Sequence, residues 1–195
     1  MLQTTSPQGV ADIGCREGVV VAPYRDTRGI FTCGIGHTAA AGAPDPRAMS
    51  LQMPTDIDAA IRSAIAVLRH DLGTYEERIR RHVTAPMTQT EFDAFVSVDI
   101  NTGWAWYRTS SGTWTTATAI QRFNTGEKAG AGAAFLNWCQ PPEILGRRKQ
   151  EQALFMTGAY LTSSIAVYGT DGQGNLDRSP MREITRADFM ALCAA

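Results

Sequence analysis

Glu17-Gly18-Val19-Val20-Val21-Ala22-Pro23-Tyr24-Arg25-Asp26-Thr27-Arg28-Gly29-Ile30-Phe31-Thr32-Cys33-Gly34-Ile35-Gly36-His37-Thr38 is the stretch on which the reading of this chain turns. It brings two carboxylic acids and a hydroxyl together among glycines that suit tight turns. Just upstream, Ser6-Pro7 is a good helix start, with Ser as N-cap and Pro at the first position. Val10, Ile13 and the Ala11/Gly14 pair give that helix one apolar side, and Gly18 is placed to end it in a left-handed conformation. Glu17 then sits in the last turn, where its charge opposes the helix dipole and the protonated acid is favoured. Val19-Val20-Val21 and Gly29-Ile30-Phe31-Thr32 read as short strands about a turn at 25–29. Asp26 falls at the turn end and Thr32 on the returning strand.

Downstream, 39–47 is rich in Ala, Gly and Pro and reads as a loop. Thr55 is the expected N-cap of a long helix whose stripe is Ile57, Ile61, Ile65, Leu68, Leu72, Tyr75 and Ile79. Gly73 is expected to bend or interrupt it. Thr88-Gln89-Thr90-Glu91 has the capping-box pattern and opens a helix carrying Phe92, Phe95, Val96 and Ile100, which ends at Asn101-Thr102-Gly103. The stretch 104–113 reads as a polar and aromatic loop and 116–123 as a short helix closing on a second Asn-Thr-Gly. The Gly/Ala stretch 129–134 reads as irregular and 145–155 as helix. After Gly158, 164–168 is an expected strand, 171–175 a turn, and Thr185 the cap of a last short helix.

The chain has 195 residues, 44% hydrophobic and 19% charged, with a formal net charge of −1. That suits one compact domain or two small lobes. Without a basic field, nucleic acid is not an expected partner. No apolar run approaches the roughly 20 residues a membrane span needs, and the first residues lack a signal peptide's basic and apolar regions. A soluble protein made in the cytoplasm is expected, without stable membrane insertion. Cys15, Cys33, Cys139 and Cys193 are scattered without metal-binding spacing, so buried free thiols are expected and no metal. Gly34 and Gly36 are best explained by backbone geometry, since a lone Gly-x-Gly is weak evidence for phosphate binding. Asp171, Gln173, Asn175 and Asp177 alternate like early calcium ligands, but the required Gly and late Glu are out of place, so a turn is read.

Four segments, in order, carry a resemblance. They are the 17–38 run; Asp71-Leu72 with Glu76 and then Met87 to Ser97, closing on Asn101-Thr102-Gly103; Ala119 to Gly126; and Trp138 followed by Gly146-Arg147-Arg148 through Phe155. Together they resemble the phage-type lysozymes, the endolysins of glycoside hydrolase family 24, which include the lambdoid-phage and T-even-phage enzymes. Two features depart from that pattern: the polar Asp99 before the first Asn-x-Gly, and a longer tail after Gly158.

The resemblance implies a mainly helical, two-lobed α+β lysozyme-like fold. A lysozyme (muramidase) domain would span 1–158. Its small β-hairpin lobe would cover about 17–55, joined by a connector helix to a helical lobe at about 82–158. Residues 159–195 would be a C-terminal extension packed on the same domain. The implied activity is hydrolysis of the β-1,4 bond between N-acetylmuramic acid and N-acetylglucosamine in peptidoglycan, causing host lysis. Such a reaction needs a proton for the leaving oxygen and an aimed water. Glu17 is the expected general acid, its proton retained beside an apolar hairpin. Asp26 would activate the water and Thr32 hold it, giving inversion. His37 is read as structural, paired with Asp71 on the connector helix. Asn101 and Asn124 have two roles open, capping their helix ends or binding the N-acetyl groups of the glycan. Arg148 is open between a solvated helix face, a bridge between lobes and a contact to acidic stem peptides. Trp104, Trp106, Tyr107 and Trp114 are expected mainly in packing and loop anchoring, with sugar stacking the other role; Trp138 is read as core, and His70 and His82 as solvated. No cofactor is implied. The partners would be peptidoglycan glycan strands, with a holin releasing a monomeric enzyme from the host cytoplasm to the periplasm and wall. A lytic transglycosylase using Glu17 alone, and a non-catalytic wall-binding or virion protein, are the rival readings.

Overall fold

A computed structural model describes residues 2–103, 106–108 and 111–194, with the side chains at 106–108, 114 and 194 outside the description. Among the described residues there are seven α-helices and seven strands. The chain divides into two compact units, Met1–Gly9 with Leu72–Leu161 and Val10–Asp71 with Thr162–Ala195. It crosses the division inside two helices, α1 (Pro7–Glu17) and α2 (Ile57–His82).

The hairpin unit, Val10–Asp71 with Thr162–Ala195, is built on a five-stranded sheet of order β3-β2-β1-β6-β7. β1 is Val19–Arg25, β2 Phe31–Gly34 and β3 His37–Thr38, all antiparallel in turn. β6 (Ile165–Tyr168) and β7 (Arg182–Ile184) come from the tail. The strand β1 runs further than its valines suggest. Its register slips between Val20 and Tyr24, where Pro23 has no N–H to offer the ladder, and a bulge absorbs the misfit. Val19, Val20, Ala22, Ile165, Val167 and Ile184 bury their side chains together with Val10 and Ile13 of α1 and Ile61, Ile65 and Leu68 of α2. Asp56, rather than Thr55, caps α2: its Oδ1 accepts the Ala59 N–H at 2.9 Å. α2 runs through Gly73 without interruption. The last helix, α7 (Arg186–Ala194), is capped by Thr185, whose Oγ1 accepts the Asp188 N–H at 3.1 Å.

The helical unit, Met1–Gly9 with Leu72–Leu161, centres on α3 (Gln89–Thr102) and α6 (Leu145–Thr157). Phe95, Phe123, Phe135 and Phe155 cluster with ring centroids 5.0–5.7 Å apart, mostly edge-on or tilted. α4 is Thr118–Asn124. The 129–134 stretch, read as irregular, is helical as α5 (Lys128–Ala134): the small side chains of Ala131, Gly132 and Ala134 let it bury its face. The stretch after Gly103, read as a loop, instead contains a two-stranded pair, β4 (Trp106–Arg108) with β5 (Trp114–Thr116). Asp99 is wholly buried and its Oδ2 accepts from Arg78 Nε at 2.7 Å, which accounts for a carboxylate at an otherwise apolar position.

The capping box of α3 is formed in full, with Thr88 and Glu91 bonding each other's backbone N–H, and Gly103 ends the helix at φ +62°. Burial pushes the Glu91 carboxyl up, but hydrogen bonds from Lys128, 2.6 Å away, and from Thr88 outweigh it, so the net shift is downward. A lowered folded-state value gives stability that is present above the unfolded value, about 4.3, and is lost as pH falls through the folded one. Glu91→Gln is therefore expected to unfold at lower urea than wild type at pH 7, by roughly 0.5–1 kcal/mol given the solvent around Lys128. The gap should narrow as pH falls below the unfolded value; a gap that stays constant in urea titrations carried from pH 7 into the acid range would refute this origin.

Candidate active site

The three residues proposed for chemistry all belong to the hairpin unit. α1 ends at Glu17 because Gly18 turns left-handed, φ +70°, and donates its N–H to Gly14 O at 2.9 Å. Glu17 is exposed at that helix end rather than enclosed beside the hairpin. Asp26 holds the hairpin turn. Its Oδ1 accepts the N–H groups of Arg28 and Ile30 at 2.9 and 2.8 Å, and its backbone closes on Ile30 and Gly29. Its Oδ2 stands 3.8 Å from Arg28 Nε. Asp26 is thus a turn former with a second oxygen directed elsewhere. Thr32 is buried, and its Oγ1 donates to Ile30 O at 3.2 Å. With its hydrogen so engaged, the hydroxyl presents lone pairs to anything beside it.

Tyr24 was given no role by the sequence, although it lies two residues before Asp26. It pairs with Thr32 across the β1–β2 ladder. Its phenol is pushed up by burial first, then by the negative charges of Asp26 and Glu17 and by Cys33. Thr32 thus lies on the strand beside β1, whose two ends are flanked by Glu17 and Asp26.

His37 is a fastener. Its Nδ1 lies 2.7 Å from Asp71 Oδ2, and its Nε2 donates to Pro44 O at 2.7 Å, so neither nitrogen is left for a metal or a nucleophilic role. Asp71→Ala is expected to cost about 1–3 kcal/mol, because a buried ring nitrogen loses its partner; an unchanged melting temperature would contradict this. Gly34 and Gly36 serve backbone geometry. Gly34 is left-handed at φ +61° and lets Ala64 of α2 come within 3.2 Å of where a Cβ would be, while Gly36 at φ +79° faces open space. The Cys33 thiol is buried and pushed up to about 11, by burial first and then by Asp71. All four cysteines are free, but only Cys33 is buried; the other three are half-buried.

Other expected site residues lie in the helical unit and have different work there. Asn124 clamps the end of α2: its Oδ1 accepts from Thr84 and Ala85 N–H and its Nδ2 donates to His82 O at 2.9 Å. These bonds tie its amide to the end of α2 rather than to that of its own helix, α4. Asn101 is exposed and its Oδ1 accepts from Arg148 Nη2. Arg148 is not on a solvated face. It is wholly buried and ion-paired with Glu151, which also takes Ser97 Oγ at 2.7 Å and Arg147 Nε at 3.1 Å. Trp138 is half-buried rather than core. His70 is exposed, whereas His82 is half-buried with Thr116 Oγ1 3.4 Å from its Nδ1. Trp104 lies outside the described residues, as do the side chains of Trp106, Tyr107 and Trp114.

Known proteins match this arrangement. The model of the phage lysozyme family covers residues 15–152. The endolysin of Salmonella phage P22 is 30% identical over 161 residues, spanning 80% of this chain and all of that protein. A crystal structure of a P22 lysozyme mutant superposes with a TM-score of 0.63 at 29% identity, over 80% of this chain and 100% of that one. The muramidase domain of SpmX from Asticaccaulis excentricus gives 0.60 at 28% identity, over 80% and 99%. Fold, motif order and sequence agree over most of the chain, and the chain belongs to the phage lysozyme family.

Proposed function

We propose that this protein is an endolysin that hydrolyses the β-1,4 bond between N-acetylmuramic acid and N-acetylglucosamine in peptidoglycan by a single displacement with inversion. Family membership makes it a peptidoglycan-lysing, lysozyme-type hydrolase; the bond and the mechanism are our reading. The observation that carries it is that Glu17 and Asp26 flank the two ends of β1, with Thr32 on the neighbouring strand β2. In this reading Glu17 protonates the leaving glycosidic oxygen, and substrate lying over its exposed carboxyl removes the surrounding water. A water donates one hydrogen to Asp26 Oδ2 and the other to Thr32 Oγ1. Its lone pair is then aimed at the anomeric carbon, and Asp26 takes the proton as the bond forms. Geometry of this kind calls for carboxyl groups roughly 6.5–9.5 Å apart, enough to seat the water. Asn101 is assigned to the N-acetyl groups through its amide N–H. The enzyme acts as a monomer on glycan strands and leaves the host cytoplasm through a holin. Among the described residues no helix is long and apolar enough to cross a membrane.

Mass spectrometry of muropeptides from digested sacculi tests the reaction. Products carrying one added water and a reducible N-acetylmuramic acid end are expected. Products ending in 1,6-anhydro-N-acetylmuramic acid would make the protein a lytic transglycosylase and overturn the reading.

A further inference from the structure

The segment Thr162–Ala195 lies beyond the residues the family model covers, 15–152, yet it is part of the hairpin unit's sheet. It grips the two ends of β1. At the first end, β6 runs parallel to β1 with Val19 opposite Val167 and Val20 opposite Tyr168. The Tyr168 ring comes within 2.9 Å of where a Cβ on Gly18 would stand, directly after Glu17. At the other end, Gly174 O accepts the Arg25 N–H at 2.8 Å, one residue before Asp26. Two further ties reach α1, the helix that ends in Glu17. Arg186 Nη1 lies 2.8 Å from the buried Asp12 Oδ1, and Phe189, wholly buried, fills the space that a side chain at Gly14 would take.

We propose that Thr162–Ala195 is a positioning element of the active site, holding both ends of β1 and so setting the separation between Glu17 and Asp26. The inference rests on the catalytic reading of those two acids. Without β6, β1 would present an open edge in a sheet reduced to β3-β2-β1. The grip at the Asp26 end is itself a built turn. Asp171 Oδ1 accepts the N–H groups of Gln173 and Asn175 at 2.8 and 3.0 Å, and its Oδ2 accepts from Asn175 Nδ2 at 2.7 Å, which presents Gly174 O to Arg25. Asp171 is exposed and far from a core role, so the turn can be opened without unfolding the unit.

Asp171→Ala and Asp171→Asn in the full chain test this, with dye-labelled Gram-negative sacculi as substrate. Asp171→Ala is expected to lose kcat roughly tenfold with KM within about twofold, since a displacement of ~1 Å at the reacting groups costs up to about 10² in rate. Its melting temperature should stay near wild type, and exchange of the Arg25 amide should quicken. Asp171→Asn keeps an acceptor oxygen and should restore kcat. Wild-type kcat in Asp171→Ala with a quickened Arg25 amide would overturn the proposal, and so would an equal loss in Asp171→Asn. Glu17→Gln in the same assay separates the two claims: full activity there removes the catalytic reading itself, whatever the Asp171 variants do.

Discussion

Glu17→Gln is expected to abolish clearing of permeabilised Gram-negative cells, with a rate loss of about 10²–10⁴, while the protein stays folded. The amide keeps the shape and the hydrogen-bonding reach of the acid but has no proton to give. Glu17 is exposed at the end of α1, where Gly18 rather than the glutamate stops the helix. Its replacement should therefore change stability by no more than roughly 0.5 kcal/mol. The two readouts together separate catalysis from folding. Clearing at the wild-type rate by a folded Glu17→Gln variant would leave a wall-binding or virion role as the better account.

The second large effect is on stability. Arg148→Ala is expected to cost about 3–5 kcal/mol, because it removes the fully buried partner of Glu151 and leaves that carboxylate's Oε2 in the core without its cation. Glu151 and Arg148 are both fully buried, and Glu151 is also bonded to Ser97 and Arg147. Replacing the pair together, Arg148→Met with Glu151→Leu, should recover much of the loss, since the penalty lies in a buried charge left only partly compensated rather than in the missing attraction. Urea denaturation of the single and double variants checks this; a double variant as unstable as the single one would contradict it.

The parts of the fold legible in the sequence are those set by neighbours three or four residues apart. The Thr88–Glu91 capping box, the left-handed Gly103 and Gly158 after their helices, and the stripe of α2 are all such local signals. The Ser6 cap is another: its Oγ accepts the Gly9 N–H at 3.0 Å. What escaped the sequence depends on partners far away along the chain. α5 is helical where glycines argue against it. The pairing of β6 with β1 joins residues nearly 150 positions apart. Of the roles open to Arg148, burial with Glu151 and Asn101 could not be read from local sequence, and neither could the tie of the Asn124 amide to the end of α2.

At the site, the acid at a helix end and the aspartate in a turn were legible because glycines and turn chemistry are local. The place of Tyr24 opposite Thr32 was not, because it depends on the shifted register of β1 against β2. The exposure of Glu17 was not either: Val19 and Val20, which suggest an apolar wall, are buried in the core while Glu17 is exposed.

The central claim is that a water held by Asp26 and Thr32 attacks from the face opposite the oxygen that Glu17 protonates. Proton NMR of the newly formed reducing end, recorded in the first moments of digestion of a soluble glycan fragment before mutarotation, reads that geometry. Release of the α-anomer from the β-linked strand is the predicted result. Initial release of the β-anomer would mean two displacements through a glycosyl-enzyme, and would contradict the account.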